Sequence, residues 1–201
     1  ASKVNLIAHS MGGLDARWLA ANGFADRISS VTTVSTPHRG AKTADTARSV
    51  LGPTVLGLAS DVAKTFNAHF FGMPKHADWQ GMLQALSEDN ANEFNASTPD
   101  AAGVYYQSFA GVARSDGAPA QSDIEACGTM WPKTFAIQVA HSAHFALSAS
   151  MTTEGASDGV VAVESAKWGT FRGCIPADHM DQIGVYGNDD DGRRFDHVQF
   201  Y

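Results

Sequence analysis

Val4-Asn5-Leu6-Ile7-Ala8-His9-Ser10-Met11-Gly12-Gly13 is the stretch on which the fold turns. A β-branched, apolar run suited to a strand stops abruptly at a serine flanked by small residues. Leu14-Asp15-Ala16-Arg17-Trp18-Leu19-Ala20-Ala21 follows at once with the pattern of a helix. A strand that enters a helix through so short a turn lifts the residue at its apex, Ser10, above the sheet edge. Ala8 and Gly12 stand two before and two after Ser10. The turn is expected to bring strand and helix backbones too close there for larger side chains.

A turn of this kind, with the pattern G-x-S-x-G, is the nucleophile elbow of α/β-hydrolases. Ala8 takes the first glycine position, and the small Bacillus lipases are similar in having Ala-His-Ser-Met-Gly there. A second strand is expected at Ser29-Ser30-Val31-Thr32-Thr33-Val34-Ser35, leading into Thr36-Pro37-His38-Arg39-Gly40. Strand, helix and strand at this spacing form a βαβ unit, so the sheet should be mostly parallel, flanked by helices and buried on both faces. Residues 41–100 read instead as short amphipathic helices, Thr43–Leu51, Thr54–Phe66, Trp79–Leu86 and Asn90–Phe94, broken by Gly52-Pro53 and Gly72-Met73-Pro74. A helical insertion of that size within one domain spanning residues 1–201 is expected to be a cap or lid. Its apolar side chains, among them Val55, Leu56, Val62, Phe66, Phe70 and Phe71, suit either a satellite core or a face turned to substrate or lipid. A third strand is expected at Val104–Gly111 and a loop over 112–132. Lys133–Met151 reads as a helix, 156–163 as a turn at a strand end, and Phe195–Tyr201 as the opening of a helix.

Composition narrows the classes. The 201 residues are 44% hydrophobic and 17% charged, a globular mix of single-domain size. A net charge of −7 without a Lys/Arg cluster argues against nucleic acid as a partner. No apolar run reaches the length of a membrane-spanning helix. Two cysteines, Cys127 and Cys174, lack C-x-x-C spacing. One disulfide in an oxidising, extracellular compartment is the preferred reading, and two separate buried thiols the alternative.

A serine hydroxyl becomes a nucleophile only when a base takes its proton and an acid holds that base in the right tautomer. In α/β-hydrolases the chain order is Ser, Asp or Glu, then His. Asp158, in Ser157-Asp158-Gly159, and His179, in Ala177-Asp178-His179-Met180-Asp181, satisfy that order after Ser10. Among rival bases, His9 abuts Ser10 but should point away from it, and His38 is better placed to shape its loop. His141 and His144 precede the acid, and His197 lies in an amphipathic run with Phe195 and Phe200. Asp116 and Asp123, after the third strand, are the rival acids.

With these residues in place the chain resembles the triacylglycerol lipases of the Burkholderia/Pseudomonas type and their fungal relatives. The matching runs are Ala8–Gly13, Val31–Gly40, Ala85-Leu86-Ser87 with Phe94-Asn95, Tyr105–Ser108, Ser157–Val161 and His179-Met180-Asp181-Gln182-Ile183. The resemblance implies Ser10 as nucleophile, His179 as base, Asp158 as acid and the backbone N–H of Met11 as an oxyanion donor. In those enzymes a calcium ion steadies the loop of the base through two aspartates. Asp181 matches one of them and is the candidate metal ligand, whereas Ala136 and Ile137 stand where the other is expected.

The expected activity is hydrolysis of carboxylic esters, most specifically of triacylglycerol at a lipid–water interface, without a required cofactor. An esterase, thioesterase or acyltransferase with the same triad, or a binding module that keeps the fold, are the alternatives. In this fold the elbow strand lies mid-sheet, and an earlier strand and its loop supply a neighbour and a second oxyanion N–H. A longer enzyme is therefore expected, its N-terminal strands coming from a preceding segment or a second chain, with a last helix after Tyr201.

Overall fold

The computed structural model describes residues 3–45, 79–113, 120–128, 155–184 and 196–201. Strand β1 (Val4–His9) passes through Ser10 and Met11 into helix α1 (Gly12–Leu19). The helix runs out through a π-type turn at Ala20–Phe24 and a 3-10 turn at Ala25–Arg27 into β2 (Ile28–Val34). Helices α2 (Trp79–Ala85) and α3 (Glu88–Ser97) precede β3 (Tyr105–Gly111). Helix α4 (Gln121–Cys127), the short α5 (Val163–Ala166) and β4 (Thr170–Ile175) follow. A 3-10 turn at Asp181–Ile183 and α6 (His197–Phe200) complete the described elements.

The strands form a parallel sheet in the order β1-β2-β3-β4. Their C-terminal ends meet at one edge: His9 pairs with Val34, Val34 with Phe109, and Gly111 with Ile175. That edge is where an open α/β sheet presents its loops to a ligand. Two apolar clusters pack against the strands. Ala16 and Ala20 of α1 and its exit turn pack with Ile28, Val31 and Tyr106. Ala110, Val112, Cys127, Val161, Val163 and Cys174 pack beside β3 and β4. Helix α3 begins where Ser87 caps it, its Oγ accepting the Asn90 N–H at 3.3 Å, with Glu88 and Asp89 in the first turn.

Several expectations need correction. Burial on both faces holds for the C-terminal half of β2 but not for β1, where Val4 and Ile7 are 52% and 55% exposed. Among the described residues β1 pairs on one side only. Residues 121–127, expected as loop, form α4, because the Asp123 carboxylate accepts the Ala120 N–H at 2.8 Å and ties the first turn. Strand β4 carries no clear alternation. Gly173 (φ 112°) interrupts it and the register shifts opposite Ser108 and Ala110.

The expected steric demand at Gly12 also moves. A Cβ there would meet Ala8 Cβ at an ordinary 3.9 Å, whereas one on Gly13 would lie 2.0 Å from Thr36 Oγ1. The close approach is therefore between α1 and the loop after β2. Of the cap expectations, a helical turn at 42–45 and the helices near 79–86 and 90–94 are seen. Thr54–Phe66, both Gly/Pro breaks and the helix at Lys133–Met151 lie outside the described residues.

Candidate active site

Ser10 sits at the apex between β1 and α1 in a left-handed conformation (φ 55°) that a non-glycine residue adopts at a cost. Two backbone bonds hold it there: its N–H donates to Val34 O at 2.9 Å, and Gly13 N–H donates to its carbonyl at 3.0 Å. The turn therefore clips onto β2 at the same edge that carries the remaining loops.

Asp158 is fully buried in a turn closed by a bridge between Ser157 and Ala162. Its Oδ1 accepts the N–H groups of Val160 (3.0 Å) and Val161 (2.8 Å). His179, 2% exposed, follows β4 and donates its backbone N–H to Asp158 O at 3.1 Å. Its Nδ1 lies 2.7 Å from Asp158 Oδ2 and its Nε2 lies 2.9 Å from Ser10 Oγ. With Nδ1–H donating to the carboxylate, Nε2 is left to accept the Ser10 O–H. Complete burial on its own pushes the Asp158 carboxyl up. The charge and hydrogen bond of His179 and the two backbone donors outweigh it, leaving the group below its usual range. Ser10, His179 and Asp158 thus stand in hydrogen-bonded sequence.

The bridge Cys127–Cys174 joins the end of α4 to β4, with Cα atoms 5.3 Å apart, and the 47-residue separation it spans contains Asp158. The disulfide preferred from composition is present. It ties down the strand whose end carries His179.

The other histidines divide by their neighbours. His9 does not turn away from the site: its ring packs 4.5 Å from that of His179. Burial first, and then His179, push it down to about 3, so it is neutral beside the candidate base. His38 shapes its loop. Arg17 donates to His38 Nδ1 at 3.2 Å, which leaves His38 Nε2–H to donate to Thr33 Oγ1 at 3.0 Å. Burial, with Arg17 and Arg39 next, holds His38 well below its ordinary value. Arg17 itself is buried, with its guanidinium 3.5 Å over the Trp168 ring and bonded to Asn95 Oδ1 (2.8 Å) and Thr98 O (3.2 Å). One arginine thus ties the elbow helix to α3 and to the loop before β4. Burial lowers it to about 10. His197 packs on the backbone of Gly184. Asp123 belongs to the start of α4, while His141, His144 and Asp116 lie outside the described residues.

Sequence reasoning assigned no role to Gln182, although it stands three residues after His179, one turn further on. Its Nε2 lies 3.1 Å from Asp158 Oδ2. Asp181 is fully buried on the 3-10 turn, and the described residues hold no group of three or more His, Cys, Asp or Glu able to ligate a metal ion. Ala136 and Ile137, at the second expected aspartate position, carry no ligating side chain.

Comparison with known proteins sets this geometry in context. The profile of the alpha/beta hydrolase fold family matches residues 1–141. A triacylglycerol lipase of Burkholderia plantarii is 48% identical over 89 residues, 43% of this chain and 24% of that protein. A triacylglycerol lipase of Pseudomonas fragi is 29% identical over an alignment covering 100% of this chain and 71% of that protein. The chain thus matches about a quarter of the length of the first and under three quarters of the second. The Staphylococcus hyicus lipase structure superposes with a TM-score of 0.61 over 99% of this chain and 67% of that one. At 18% identity that likeness speaks for the fold.

Proposed function

Because the chain belongs to the α/β-hydrolase fold family, we propose that it is a carboxylic ester hydrolase, most specifically a triacylglycerol lipase, working through Ser10, His179 and Asp158. The observation that carries this reading is the relay from Ser10 Oγ to His179 Nε2 at 2.9 Å and from His179 Nδ1 to Asp158 Oδ2 at 2.7 Å. Similarity to lipases of Burkholderia and Pseudomonas supports the narrower substrate class.

In this mechanism Ser10 Oγ attacks the ester carbonyl carbon while His179 Nε2 takes the hydroxyl proton. The carbonyl π electrons move onto oxygen. Met11 is the N-cap of α1, at the end where backbone N–H groups lack intrahelical acceptors, and its N–H stabilises the oxyanion. Collapse expels the alcohol, which receives the proton from His179, and leaves an acyl-serine. Water then gives its proton to His179 and attacks the acyl carbon, and the carboxylic acid departs as Ser10 recovers its proton. Asp158 stays ionised throughout and stabilises the imidazolium. No step calls on a metal.

The substrate is a lipid ester met at a lipid–water interface. Secretion accords with the disulfide, and no described helix is long and apolar enough to cross a membrane. The test is hydrolysis of esters of increasing chain length and of emulsified triglyceride by wild type and Ser10→Ala, with fluorophosphonate labelling of Ser10. Activity confined to soluble short-chain esters would replace lipase by esterase, and absence of both labelling and hydrolysis would remove the proposal.

A further inference from the structure

Asp158 Oδ2 faces two donors. His179 Nδ1 is 2.7 Å away and Gln182 Nε2 is 3.1 Å away, and the same Gln182 nitrogen lies 3.4 Å from Ala177 O. An ionised carboxylate and a carbonyl are both acceptors, so the amide must present its NH₂ end to them and not its oxygen. Gln182 is fully buried, and its Oε1 has no hydrogen-bond partner among the described residues. An apolar side chain of the same size would fill this space without leaving a buried carbonyl unsatisfied. What the amide adds over such a side chain is the bond to Asp158, with a longer one to Ala177 O.

The surroundings are shaped around that bond. A Cβ on Gly111 would lie 1.9 Å from Gln182 Nε2 and 2.7 Å from Asp158 Cβ, so the end of β3 must be bare for the two to meet. Gln182 N–H donates to Asp178 O at 3.2 Å, which sets Gln182 on the same turn that carries His179.

We propose that Gln182 is a positioning residue for the acid of the relay: its side-chain N–H holds Asp158 Oδ2 at the point where His179 Nδ1 must find it. The inference rests on the reading of Ser10, His179 and Asp158 as a triad. Val160 and Val161 N–H groups fix the other oxygen, Oδ1. Without Gln182, the partner of Oδ2 among the described residues would be His179, the group that gains and loses a proton in each half of the reaction. With it, the carboxylate keeps its place while the imidazole changes charge, and Nε2 stays directed at Ser10 Oγ.

Gln182→Met keeps the length and volume of the side chain and removes the donor. The expected result is a roughly ten- to hundredfold loss of kcat on a short-chain ester, the scale of one hydrogen bond to a charged group. KM should stay within about twofold, because the interaction does not touch substrate. The downfield His179 Nδ1 proton resonance of enzyme phosphonylated at Ser10 should shift. A kcat within about twofold of wild type, or a loss of kcat with that resonance unmoved, overturns the inference. If the methionine variant does not fold, the Gln182 side-chain amide of the wild-type protein decides. Slow exchange with solvent supports the bond to Asp158, and exchange as fast as that of an exposed glutamine refutes it. A wild-type protein that hydrolyses no ester and takes no fluorophosphonate fails the proposed function. An active wild type with an unaffected Gln182→Met fails this inference alone.

Discussion

Ser10 at the end of β1 and Ser35 just after β2 share a left-handed backbone, with φ of 55° and 48°. Each donates its N–H to the neighbouring strand at 2.9 Å, Ser10 to Val34 O and Ser35 to Phe109 O. The difference lies in where the hydroxyls go. Ser10 is half-buried and its Oγ meets His179 Nε2. Ser35 is fully buried and its Oγ accepts the Gly111 N–H at 2.9 Å. Backbone strain therefore marks the places where a parallel strand hands its chain to a loop at the sheet edge, and it does not by itself identify a nucleophile. A serine becomes one when the fold brings a base to it. The second serine instead supports the first site from below, through Gly111 and the packing of Gln182 and Asp158 over it.

The comparison breaks most sharply on rate. Ser10→Ala or His179→Ala should lower ester hydrolysis by a factor on the order of 10⁴ or more while the melting temperature stays near wild type. Near-normal turnover in His179→Ala, with loss in His197→Ala instead, would overturn the base assignment. Asp158→Asn should cost up to about 10⁴ through the wrong imidazole tautomer, with KM little changed.

Stability effects come next. Reduction of Cys127–Cys174 should lower unfolding free energy by roughly 3–4 kcal/mol in the chain-entropy model, measured by denaturant melts with and without reductant. An unchanged midpoint would show that β4 does not need its tie to α4. Ser35→Ala leaves the Gly111 N–H without its acceptor and should cost about 1–3 kcal/mol. Its kcat should fall far less than that of Ser10→Ala. A loss of rate as large as that at Ser10, at full stability, would erase the distinction between the two serines.

The smallest effect is in pH. His9 and His38 are both lowered by burial, so between the unfolded value near 6.5 and their folded values the unfolded chain binds more protons. Stability is then fully present above about pH 6.5 and falls on acidification by up to about 1.4 kcal/mol per pH unit for each histidine. Asp178 is raised by burial and works in the opposite sense above the usual carboxylate value. Urea midpoints that stay flat from pH 7 to 5 would mean that both rings take up protons in the folded state.

Much of the architecture was legible because its signals are local. The elbow is readable at Val4–Gly13, since a strand, one serine and a helix within ten residues admit few geometries. The βαβ unit follows from one strand, one helix and one strand in succession. Strand β4 was not legible, because Gly173 breaks its alternation, and α4 was hidden by a composition that reads as loop.

By itself the sequence determined the fold class, the candidate nucleophile and the chain order that singles out Asp158 and His179, along with a lone pair of cysteines able to bridge. Tertiary structure alone decided that Gly13, and not Gly12, faces the crowded contact with Thr36, and that Gln182 joins His179 on Asp158 Oδ2. It also stacked His9 on His179 and threaded Arg17 between Asn95, Thr98 and Trp168. Periodicity and turn chemistry act between residues a few positions apart, whereas Ser10 and His179 meet across 169 positions and Arg17 and Thr98 across 81. Those meetings exist only after the strands have paired in register and carried their ends to one edge.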